Sequence, residues 1–144
     1  MKTDFKNIHI GNLIENRVNE TSIELERISN FMKCEENELK QMYKQEHLPA
    51  DILLKWSKLL EYDFFRIYSQ HLVLYAPQQK QGLYKQNEDY VSSLPKFRKN
   101  VYTKEIISFM LELIHTRAKT KQQIIDEYKI PKTTLYKWIE KYNP

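Results

Sequence analysis

Glycine is scarce, at two in 144 residues, and proline occurs five times. So few glycines leave little room for the tight primed turns that join hairpin strands, which favours helices over a sheet. Cysteine occurs once, as Cys34. No internal disulfide is available to it, and a lone thiol fits a reducing compartment. No stretch approaches the roughly 20 apolar residues of a membrane span, and residues 1–16 contain no apolar run of signal-peptide type. The expectation is a cytoplasmic, all-α protein without membrane association. Chemistry-bearing patterns are also missing. There is no P-loop, no nucleophile elbow and no zinc spacing, and His9, His47, His71 and His115 are scattered. Neither an enzyme nor a cofactor or metal is expected, and no residue is assigned as catalytic.

What is present is 41% hydrophobic and 29% charged residues, a globular balance. The net charge of +4 is unevenly spread. Residues 1–76 hold 10 basic against 12 acidic side chains, residues 77–97 hold 3 against 2, and residues 98–144 hold 10 against 5. A polyanion is drawn to the last third of the chain.

Helical spacing of apolar residues predicts five helices in the first half, over about 8–20, from Thr21 or Ser22 to Met32, 35–44, 50–60 and 64–74. Ser22 is the expected N-cap of the second, and Pro49 suits the first turn of the fourth. Residues 77–97 are polar and without a clean period, and read as a linker. Three more helices are expected, at 103–116 with Thr103 as cap, 121–128 and 132–141. Thr120 and Gln123 form the T-x-x-Q of a capping box. The expected architecture is therefore two small helical domains, residues 1–76 and 98–144, joined by that linker.

A helix-turn-helix sets its second helix across a DNA groove while the first supports it. Counting its first helix from 1, it needs apolar residues at positions 4, 8, 10, 15 and 18. Starting from Lys121 these are Ile124, Tyr128, Ile130, Leu135 and Trp138. Position 9 is Lys129, where glycine is usual, and position 5 is Ile125, where alanine is usual. Both departures point to a wider crossing or a strained turn. Pro131 is expected to begin the second helix.

The segment TKQQIIDEYKIPKTTLYKWIEKY, with its Ile-Pro-Lys-Thr-Thr-Leu-Tyr-Lys-Trp run, resembles the helix-turn-helix of insertion-element transposases and related homeodomain-like DNA binders over residues 102–143. The resemblance implies that the second helix reads DNA. By position, Lys132, Thr133, Tyr136 and Lys137 face the groove. Thr120, Lys121 and Gln122 meet phosphates at a helix N-terminus, and Lys141, Arg98 and Lys99 contact the backbone.

The same spacing recurs 96 residues earlier, from Leu25, with Ile28, Met32, Cys34, Leu39 and Met42. Cys34 is thus expected as a small buried hydrophobe. With its flanking helices, including IHIGNLIENRV and DILLKWSKLLEYDFF, this part is similar to Cro and phage-repressor domains. Its groove-facing segment, however, reads Glu35, Glu36, Asn37, Glu38. Three carboxylates facing phosphates repel them, so the resemblance implies the fold here and not the DNA contacts. The combined expectation is sequence-specific binding of double-stranded DNA in transcriptional control. A homodimer through the apolar Phe64–Tyr75 helix would pair two readers. Two alternatives stay open: a non-catalytic DNA-binding subunit of a mobile element, and a helical protein-interaction adaptor.

Overall fold

The computed structural model describes residues 3–77, 93–95 and 102–142. Among these residues every regular element is an α-helix and none is a strand, so the chain is all-α. In chain order the helices are α1 (Ile10–Thr21), α2 (Leu25–Met32), α3 (Glu36–Tyr43), α4 (Ala50–Leu60), α5 (Phe65–Tyr75), α6 (Lys104–His115), α7 (Lys121–Tyr128) and α8 (Lys132–Tyr142). None of them is long and apolar enough to cross a membrane. Contacts divide the chain into two compact units, Met1–Ser69 and Gln70–Pro144, and the division falls inside α5. Of the segment expected as a linker, only Pro77 and residues 93–95 are among the described residues.

In the first unit α1 and α2 both pack on α3 and α4. Helices as short as α2 and α3, eight residues each, are marginal alone in water. They persist because one apolar face of each is buried: Ile28, Met32 and Leu39 join Ile10, Ile14, Leu53, Trp56 and Phe64 in one core. The Trp56 indole N–H is satisfied there by the Met42 sulfur at 3.4 Å.

The start of α2 differs from expectation. Ser22 caps the end of α1 rather than the start of α2. It adopts the left-handed conformation at φ 53°, and its N–H donates to the Val18 carbonyl. Glu24, in extended backbone, precedes α2 instead. The physical reason is that α1 runs on to Thr21, so that Ser22 closes its last turn in the left-handed conformation. Pro49 stands one residue outside α4, where its carbonyl accepts the Leu53 N–H at 3.0 Å.

Gly11 is required by a close approach. The Ile10 and Gly11 N–H groups donate to the Glu46 and Gln45 carbonyls at 3.1 and 3.0 Å. A Cβ at Gly11 would lie 2.4 Å from the Tyr43 carbonyl oxygen and 2.5 Å from that of Met42. The start of α1 therefore rests directly on backbone at the end of α3.

In the second unit α6 and α7 each pack on α8. Ile106, Met110, Ile124, Ile130 and Leu135 are almost wholly removed from water. Tyr102 meets Trp138 edge-on at 5.0 Å between ring centroids, and burial pushes its phenol pKa up. The part of α5 in this unit buries Gln70, Val73 and Leu74. The Thr103 hydroxyl donates to the Gln70 side-chain oxygen Oε1 at 3.1 Å and accepts the Ile106 N–H at 3.4 Å. It thereby satisfies a buried amide while capping α6.

Gly11→Ala tests the close approach. Alanine adds about 1 kcal/mol of helix propensity, but forcing the two backbone segments apart costs about 3 kcal/mol or more. A net loss of about 2 kcal/mol is expected, read from Trp56 fluorescence in urea on a Trp138→Phe background.

Candidate nucleic-acid interface

The α7–α8 pair is built on five side chains. Ile124, Tyr128, Ile130, Leu135 and Trp138 are 0, 8, 2, 0 and 9% exposed. Every position singled out by spacing is therefore buried, and the polar residues between them face outward. α7 begins with a complete capping box. Thr120 Oγ1 accepts the Gln123 N–H at 3.1 Å, and Gln123 Oε1 accepts the Thr120 N–H at 2.8 Å. Tyr128 is held from outside by Lys119, whose ammonium lies 5.4 Å from the ring centroid and pairs with Glu127. The Glu127 hydrogen bond raises the Lys119 pKa.

Three residues separate the two helices. Lys129 takes the left-handed conformation, φ 55° and ψ 41°, in the position where a glycine would be unstrained. Ile130 dips into the core, and Pro131 lies just outside α8, its carbonyl accepting the Leu135 N–H at 3.1 Å. Pro131 was expected to begin the helix and instead precedes its first residue, Lys132. Ile125 is only partly buried, so the larger residue at position 5 is accommodated at the margin of the core.

The expected contact residues divide as follows. Thr120, Lys121, Gln122, Lys132, Thr133, Tyr136, Lys137 and Lys141 are all exposed. Arg98 and Lys99 lie outside the described residues. Gln122 is engaged along its own helix, donating to Asp126 Oδ1 at 3.0 Å. Lys121 and Lys132 converge on one ring, with their ammonium nitrogens 5.4 and 5.6 Å from the Tyr136 centroid. Lys141 lies 5.2 Å from the Tyr142 centroid. Neither α7 nor α8 carries an acidic residue in its first turn. Sequence reasoning missed the Lys121–Tyr136 contact. The i,i+4 relation of Lys132 to Tyr136 is legible in the chain, whereas Lys121 reaches the ring only through the crossing of the two helices.

The first unit repeats the skeleton with other chemistry. α2 and α7 are eight residues each, and the turn after α2 also starts with a left-handed lysine, Lys33 at φ 55°. In α3 the first turn holds Glu36 and Glu38. The Glu38 carboxylate accepts the Glu35 N–H at 3.2 Å, and Glu36 pairs with Lys40 at 3.1 Å. The carboxylates thus serve the helix start. Cys34 is half-buried against the core, with its thiol pKa raised chiefly by burial. Among the described residues no group of three His, Cys, Asp or Glu side chains is placed to hold a metal ion.

The left-handed lysine gives a direct test. Lys129→Gly should stabilise the second unit by about 0.5–1 kcal/mol, because glycine carries no Cβ penalty there. Lys129→Ala should bring no such gain. Trp138 fluorescence in urea on a Trp56→Phe background measures both. No protein-family model, curated protein or solved structure matches this chain.

Proposed function

We propose that the α7–α8 unit is a helix-turn-helix that binds double-stranded DNA with sequence specificity, with α8 in the major groove, and that the protein acts in transcriptional control. The observation that carries this reading is the outward surface of α8. Lys132, Thr133, Tyr136, Lys137 and Lys141 are all exposed on a helix that buries Leu135 and Trp138, and its first turn has no carboxylate. A helix of about 10–12 Å diameter fits the major groove, and such a surface offers cations to phosphates with donors and an aromatic edge to the bases. The left-handed lysine turn and the five buried offsets support the same reading, because they are what the motif needs to keep two short helices crossed.

The first unit contributes framework rather than base contacts, since carboxylates occupy the equivalent turn of α3. Pairing of two copies through α5 would place two α8 helices on one duplex, extending the site and its affinity. Ile67, Val73 and Leu74 of α5 are already buried, whereas Leu72 and Tyr75 are 58% and 41% exposed.

Lys132→Glu combined with Lys137→Glu should abolish duplex binding while leaving helicity and urea midpoint unchanged, because both side chains are exposed. Normal binding by a folded double variant would remove the assignment. For the unaltered protein, about 4–6 phosphate contacts per reader predict a slope of log K against log salt of about −4 to −5. Two readers acting together should show about twice that slope.

A further inference from the structure

Lys121 is the first residue of α7 and Lys132 the first residue of α8, yet both ammonium groups lie over the ring of Tyr136. Tyr136 is 44% exposed, so this cluster stands at the surface. Lysine is a strongly hydrated point charge on a flexible stem, and ordering it on a ligand costs side-chain freedom. A ring that attracts two ammonium groups removes part of that cost in advance. It also gathers two positive charges on one side chain, and two phosphates of the backbone can meet them.

We propose that Lys121, Tyr136 and Lys132 form a preformed clamp for the phosphate backbone of duplex DNA, with Tyr136 as its positioning residue. The proposal rests on the DNA-binding reading above and alters one part of it. Lys132 becomes a backbone contact rather than a base reader, leaving Thr133 and Lys137 as the groove-facing pair. A ring carrying two ammonium groups is also a poor platform for an unstacked base, so the clamp suits a duplex better than a single strand.

The test uses the full chain, a random-sequence DNA duplex as the probe, and affinities at several salt concentrations. Tyr136→Ala keeps both charges, so it should weaken binding about 3- to 10-fold with an unchanged salt slope. Tyr136→Phe keeps the ring and should bind within about 2-fold of the original. Lys132→Ala should reduce the magnitude of the slope by about 1. In the free protein, the ε-methylene protons of Lys121 and Lys132 should show ring-current shifts by NMR that persist in Tyr136→Phe and vanish in Tyr136→Ala. Absent shifts, full affinity in Tyr136→Ala, or an unchanged salt slope in Lys132→Ala would each overturn the clamp. Ring-current shifts in a protein that does not bind the duplex would overturn the DNA-binding reading, and the clamp's ligand with it.

Discussion

Both turn units depend on the burial of a few apolar side chains set at fixed offsets along two short helices. An eight-residue helix closes too few hydrogen bonds to offset its nucleation cost alone. Burying each large apolar side chain contributes about 1.5–3 kcal/mol, and α7, α8 and the turn between them bury Ile124, Tyr128, Ile130, Leu135 and Trp138. The left-handed lysine between the helices costs about 1 kcal/mol or somewhat more. Burial therefore outweighs backbone strain, and the crossing survives without the glycine that would relieve it. The same balance holds around Lys33 in the first unit, where Ile28, Met32 and Leu39 are removed from water.

The consequence is that the skeleton leaves the outward side chains free to differ. In the second unit the surface carries lysines, threonine and a tyrosine, with no acidic residue in the first turn of either helix. In the first unit glutamates take the corresponding start of α3, where they stabilise the helix against its free N–H groups. One arrangement of buried offsets thus supports two surfaces of opposite electrostatic character. The shared skeleton accounts for shape, and the charged residues decide which unit favours a polyanion.

The hydrogen bond between Thr103 and Gln70 shows how local and distant demands meet in one side chain. Thr103 is a conventional cap for α6, legible from the residues that follow it. Its hydroxyl proton goes to the side-chain amide of a buried glutamine 33 residues earlier in the chain. Gln70 and Thr103 both belong to the second unit, whose boundary falls within α5.

The sequence by itself determined the all-α class, the bounds of α4 and α7, the Thr120–Gln123 capping box and the five buried positions of the α7–α8 pair. These features follow from local rules, helical period and cap chemistry, which act over a turn or two. The family resemblance carried by the same residues implies Lys121, Lys132, Tyr136 and Lys137 as outward contacts, and all four are exposed. Tertiary structure decided the rest. Ser22 ends a helix rather than starting one because α1 runs on to Thr21 and takes Ser22 as its left-handed cap. Gly11 matters because α3 passes within contact of its backbone. Lys121 reaches Tyr136 because α7 and α8 cross, which brings together side chains 15 positions apart. No periodicity encodes a contact of that kind, since it depends on how packed helices lie against each other rather than on the spacing within either.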